Sequence, residues 1–202
     1  MINFKGFMKH FYFILLLVIS PSQVFAEDFY NCGSNAEARA LVKLIKEDQG
    51  QKRTSIRCNK ILSETAQAKA KAMSEHGIVA HNLEGSPNLR LRNANYKLPD
   101  YYGHNFNSNQ VEAIAGGYSD AEDVWYAFKH SKGHREHLLG ELEFYKEQDE
   151  IGVGFVSKWK SPHVEYWVVY LTKGYKKDQV KPENITEIPN KSLFIIDSKK
   201  VN

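Results

Sequence analysis

Beyond its first 26 residues this 202-residue chain has no apolar run long enough to cross a bilayer. The longest run, residues 11–19 (FYFILLLVI), is itself too short to span. Lys5 and Lys9 precede it, Pro21 breaks it, and Val24-Phe25-Ala26 places small residues where a signal peptidase reads. The pattern predicts a secretory signal peptide over 1–26, cut between Ala26 and Glu27, in preference to an uncleaved anchor. No cysteine stands at that cut, which argues against lipid attachment there. The expected destination is secreted or periplasmic.

Strong charge is also lacking. The chain carries a formal +3, and removal of the leader's two lysines leaves +1. A surplus that small argues against nucleic acid as an obligate partner. The charge is uneven: residues 173–202 hold seven lysines against Asp178, Glu183, Glu187 and Asp197. Residues 27–172 are therefore slightly acidic. Cysteine is scarce, with only Cys32 and Cys58. Two cysteines in an exported chain form one disulfide most simply, here linking the first helix to the start of the second. Such a loop contributes roughly 3 kcal/mol in the chain-entropy model. The spacing is wrong for a redox CxxC pair, and two cysteines alone make a poor zinc site.

What remains is about 175 residues without repeats or low-complexity blocks, enough for one domain with a real core. The expected organisation is a domain over 27–173 followed by a polar, lysine-rich tail over 174–202. Ser34-Asn-Ala-Glu37 reads as a capping box, and Ala38, Leu41, Val42 and Ile45 recur behind it at helical spacing, predicting a helix over about 35–48. A second helix is predicted over about 60–76, with Leu62, Ala66, Ala70 and Met73 on one face and Gly77 as its stop. Ser86-Pro87 opens a short helix that Asn95 ends in the left-handed region. Ser119-Asp-Ala-Glu122 is a second capping box, ahead of a third long helix carrying Val124, Trp125 and Phe128 inward.

Residues 151–156 (IGVGFV) and 166–172 (YWVVYLT) read as strands. Gly152 and Gly154 share one face of the first, so something must approach closely there. Residues 193–196 (LFII) form an apolar island in the tail, open to docking or to an edge strand. Helices first and clear strands last argue for an α+β fold on a mostly antiparallel sheet.

The stretch over 111–139 carries most of the functional information. Glu112 precedes a Gly-Gly turn, and the helix beyond runs into Ser131-Lys-Gly-His134-Arg135. Joining its two ends would pair a carboxylate with an imidazole, the raw material of a metal site or of acid/base chemistry. Gly133 is expected to end the third helix before His134, which separates His130, His134 and His137. That leaves His130 and His137 as exposed or core-edge residues and Ser131 as a turn or cap residue in preference to a nucleophile. His81 lies just past the second helix. From spacing alone, a His81/Glu112/His134 site is one guess among several.

In combination these features resemble the CAP superfamily, the SCP-like extracellular domains of cysteine-rich secretory proteins, antigen 5 and pathogenesis-related proteins. The matching pieces are Ala66-Gln-Ala-Lys-Ala70 through Met73, His81, Ser86-Pro-Asn-Leu-Arg90 and Asn95-Tyr96. They continue with Val111-Glu-Ala-Ile-Ala115, Trp125, Ser131-Lys-Gly-His134-Arg135, Ile151-Gly-Val-Gly154 and Tyr166-Trp167, so the match covers roughly 36–172. The resemblance implies a three-layer α-β-α sandwich in a bacterial-type member. It also implies a cleft lined by His81, Glu112 and His134, with Ser131, Arg135 and Trp125 in support. Ala113 stands in place of the family's usual asparagine, and the second cleft glutamate that follows the tryptophan in animal and plant members has no counterpart in Tyr126-Ala-Phe128.

Two histidines and one carboxylate suit a divalent metal, zinc being the natural choice, or a hydrogen-bonded cluster without metal. The expected protein is a monomeric, non-catalytic exported module whose cleft binds a small molecule, a lipid, an envelope component or a protein. The alternatives are a metal-assisted hydrolase using the same residues and an interaction protein that works through its tail.

Overall fold

The computed structural model describes residues 32–175, 181–189 and 196–197; the expected leader lies outside the described residues. Helix α1 spans Ala36–Glu47 and buries Ala38, Leu41, Val42 and Ile45. Its N-cap is Asn35, whose side chain accepts from the Ala38 amide at 2.9 Å, one residue later than the expected box. The Ser34 hydroxyl instead donates to Gln67. After the short strand β1 (Arg57–Cys58), α2 spans Lys60–His76, capped by Asn59 and stopped by Gly77 at φ 67°. Helix α3 (Pro87–Asn93) starts on Ser86, and the chain leaves it through Asn95 at φ 63°.

Strand β2 (Glu112–Gly116) leads to α4 (Ala121–His130), capped by Asp120 where Ser119 was expected. The third helix does not end at Gly133. The break falls at Ser131, which is extended, and Gly133 is buried inside the next helix, α5 (Lys132–Leu138). A single turn, α6 (Glu143–Lys146), precedes β3 (Glu150–Ser157) and β4 (Glu165–Thr172), and β5 is Ile196–Asp197. The rest of the apolar island at 193–195 lies outside the described residues.

The sheet runs in the order β1-β3-β4-β2-β5 and is mixed, which corrects the expectation of a mostly antiparallel one. Its long centre, β3-β4-β2, is antiparallel; both edges are two-residue strands paired parallel, β1 on β3 and β5 on β2. Strands that short have no period for a sequence reading to detect, and each lies far in sequence from its partner.

Helices cover both faces, as an α-β-α layering requires. One core joins α1, α4 and Leu138 of α5 to Ala113, Ala115, Ile151, Val153, Trp167 and Val169. The other joins α2 and Leu91 of α3 to Ile114, Tyr166, Val168 and Tyr170. Gly152 and Gly154 lie directly under α2: a Cβ on Gly152 would sit 2.2 Å from the Ser63 nitrogen, and one on Gly154 2.3 Å from the Ala66 carbonyl carbon. The helix backbone is therefore the close neighbour that the glycine face demanded.

Cys32 and Cys58 are joined, tying the entry of α1 to β1 just before α2. The buried Arg53 guanidinium donates to the carbonyls of Leu138 and His137 at the end of α5 and to that of Tyr145, using acceptors that the helix end leaves open. Part of the tail belongs to the fold: Ile185 is 2% exposed in the second core, and the Gln110 amide donates to the Pro189 carbonyl.

Candidate functional site

Alternation along β2 decides where Glu112 goes. Ala113 and Ala115 face the first core, so Ile114 and Glu112 face the second, beneath α2. The loop after α2 crosses this face. It approaches so closely that a Cβ on Gly116 would meet Val79 at 2.5 Å. His81 is thereby set beside Glu112, Nδ1 to Oε1 at 2.8 Å, with the two side chains 4% and 0% exposed. The carboxylate takes only a donor, so the contact fixes the Nδ1–H tautomer as the partner of Glu112.

Three residues that sequence reasoning passed over complete this cluster. Asn109, fully buried, accepts the amides of Val111 and Glu112 on Oδ1 and donates to the Glu112 carbonyl; its Nδ2 lies 3.1 Å from His81 Nδ1. Because the amide and Nδ1–H are both donors, the Asn109 contact to the ring is packing. Tyr170 is the cross-strand partner of Glu112 and fully buried. Burial, then the charge of Glu112, holds its phenol well above the usual range.

The third is Lys69 of α2, with no exposed surface. Its Nζ donates to the carbonyls of Ala80 at 2.7 Å, His81 at 3.1 Å and Leu83 at 3.3 Å. Three acceptors use all three hydrogens of an ammonium, so the side chain is cationic even though burial pulls its pKa below the ordinary value. Desolvation pushes the Glu112 carboxyl up, but Lys69, His81 and Tyr170 together bring it below its ordinary value. The cluster couples a buried cation and a buried carboxylate through space, with the imidazole of the surface loop bonded to the carboxylate. A signal existed in the sequence: Lys69 lies on the Leu62/Ala66/Ala70/Met73 side of an otherwise well-patterned helix, where a cation needs a buried partner.

The other expected residues make contacts of their own. His134 is buried on α5, with Nδ1 2.8 Å from the Ser131 hydroxyl and its ring on Phe128, a residue of the first core. Ser131 thus spends its hydroxyl locally, in line with a turn residue. Trp125 packs in the first core and donates to Asp48. Arg135 pairs with Glu141 near the surface. His130 is exposed, whereas His137 is fully buried with Nε2 on the Leu171 carbonyl.

A divalent metal needs three converging donors and a local excess of negative charge. Among the described residues no three His, Cys, Asp or Glu side chains are grouped to hold one. His81 Nδ1 and a Glu112 oxygen are bonded to each other, and the Lys69 cation already compensates the carboxylate. No three-donor set for a zinc ion is therefore assembled among the described residues. Beside His81 the surface opens into a cavity of about 70 Å³, lined by Ala80, His81, Asn82, Pro87, Phe106, Asn107 and Asn109.

The sequence matches no protein-family model and no curated protein. Among solved structures the chain is similar to an outer surface protein from Borrelia burgdorferi. That match has a TM-score of 0.52 at 18% identity, covering 70% of this chain and 96% of that one. It is also matched to a cysteine-rich secretory protein from Staphylococcus aureus subsp. aureus, at TM-score 0.40 and 14% identity, over 78% of this chain and 40% of that one. The first likeness shows a shared fold and nothing beyond it. In this frame His81 and Glu112 meet directly, and the helix-borne Lys69 stands behind them.

Proposed function

We propose that the protein is an exported CAP-like binding module that works without catalysis. It takes a small polar molecule, or a polar group of an envelope component or protein, at the mouth beside His81. The observation that carries this reading is the closure of the His81–Glu112 pair, buried and bonded at 2.8 Å. The cavity of about 70 Å³ beside it has room for about two waters or one small functional group and too little for a lipid chain. Phe106, 57% exposed, stands at the rim beside Asn107 as the apolar side of the contact. The disulfide and the outer-surface character of one structural neighbour support an extracellular setting.

The test is native mass spectrometry of protein purified from its own envelope fraction, beside the Phe106→Ala and His81→Ala variants. The expected result is a bound species of low mass, weakened in both variants. Turnover of a peptide, ester or nucleic-acid panel that His81→Ala abolishes with the fold intact would overturn the non-catalytic reading. Stoichiometric zinc lost in His81→Ala would restore the metal-hydrolase alternative.

A further inference from the structure

The tip of the β3–β4 hairpin has no part in the His81 site. It carries Lys158-Trp159-Lys160, and Trp159 is 86% exposed, the most exposed large apolar side chain among the described residues. The other two tryptophans, Trp125 and Trp167, are 4% and 0% exposed.

The tip is built rather than loose. The Lys158 amide donates to the Val164 carbonyl at 2.7 Å and the Ser161 amide to the Lys158 carbonyl at 2.8 Å. The Ser161 hydroxyl donates to the Ser74 carbonyl near the end of α2 and meets the Tyr166 phenol. Pro162 presses on Gly77, where a Cβ would come within 2.8 Å of its ring. Val164 sits at φ 62°, a left-handed conformation that a β-branched residue adopts only when its surroundings force it. A strained and cross-linked turn therefore holds an indole out into water. Beside Gly77, Ile78 adds a second apolar side chain at 43% exposure. The acid on this end of α2, Glu75, is answered by Lys71.

We propose that this tip is a docking surface for an anionic lipid bilayer. An indole is the side chain best suited to the headgroup–acyl boundary, with a polar N–H on an apolar body. The two flanking lysines have long apolar stems and cationic heads that reach the headgroups. A convex hairpin tip presses into a soft, flat partner, whereas a protein partner would need a matching pocket. The lysines select negative charge, and each contributes about fivefold to partitioning onto an anionic surface. The surface is separate from the His81 mouth, so a failure here leaves the binding-module reading untouched.

Because Trp125 and Trp167 are buried, intrinsic fluorescence of the full chain reports on Trp159. Vesicles of phosphatidylcholine mixed with phosphatidylglycerol are expected to shift the emission to the blue, to protect it from acrylamide and to carry the protein down on sedimentation. Pure phosphatidylcholine is expected to do so far less. Trp159→Ala should abolish sedimentation, and the Lys158→Ser/Lys160→Ser double variant should weaken it by about 25-fold. His81→Ala should leave it unchanged. No blue shift on anionic vesicles, or sedimentation that survives Trp159→Ala, overturns the proposal; equal binding to neutral and anionic vesicles overturns the role of the lysines.

Discussion

His81 Nδ1 lies 2.8 Å from Glu112 Oε1, although 31 residues separate them, and the Lys69 ammonium holds the backbone of the His81 loop from behind. One buried cation thus compensates the carboxylate and orders the segment that carries the imidazole. Four predictions rest on this arrangement and on the packing around it.

Glu112→Gln removes the counter-charge of the buried Lys69 and should cost less than the about 3–5 kcal/mol lost when a direct buried pair is broken. Lys69→Met in the same background removes the orphaned cation but also the donor to three loop carbonyls, so it should recover only part of that loss. Urea unfolding of the four proteins in a double-mutant cycle measures the coupling. Strictly additive effects would show that the two charges do not feel each other.

The pH dependence has a definite sign. The Glu112 pKa is lower folded than unfolded, so its stabilisation is complete above the ordinary glutamate pKa of about 4.3 and is lost as pH falls through the lowered folded value. Asp48 is shifted the same way. Burial pushes its carboxyl up, but the Gly50 amide, Lys129 and Trp125 together outweigh that. Thermal midpoints followed from neutral pH into acid should fall less steeply in Glu112→Gln than in the parent. Parallel curves would assign the acid limb to other groups.

At the contact between β3 and α2, Gly154→Ala puts a methyl 2.3 Å from the helix backbone. Backbone must move, and overpacking of that kind costs roughly 1–3 kcal/mol or more. Gly174→Ala is the control, since its Cβ would meet nothing closer than 3.5 Å. Chemical denaturation should separate the two variants clearly; equal stabilities would mean that the layers can part at no cost.

Removing residues 175–202 should not be silent. It strips Ile185 from the second core and the Pro189 carbonyl from Gln110. Ile185→Ala alone is expected to cost about 2–4 kcal/mol. A midpoint within a degree of the parent would place the tail outside the cooperative unit. The tail therefore cannot be deleted as a neutral test of partner capture; point changes at its lysines are the cleaner probe.

Much of the architecture was legible along the chain. The apolar spacing of Leu41, Val42 and Ile45 marks α1. Gly77 marks the stop of α2, and Gly152 and Gly154 mark where a helix comes down on the sheet. Local features of this kind depend on neighbours within a turn or a pleat, which is the range over which a sequence can be read. The break at Ser131 was misplaced to Gly133, because a buried glycine is tolerated inside a helix when packing against its neighbours outweighs its intrinsic cost.

Sequence by itself determined the α+β class, most helix boundaries, the disulfide pairing and the candidacy of His81 and Glu112. Tertiary structure alone decided that those two touch, that Lys69 stands behind them, and that the sheet's edges run parallel. Each of these depends on which face of a strand or helix meets which distant segment. Side-chain period shows that a residue points inward, while contacts across 30 or more residues follow from how the layers stack.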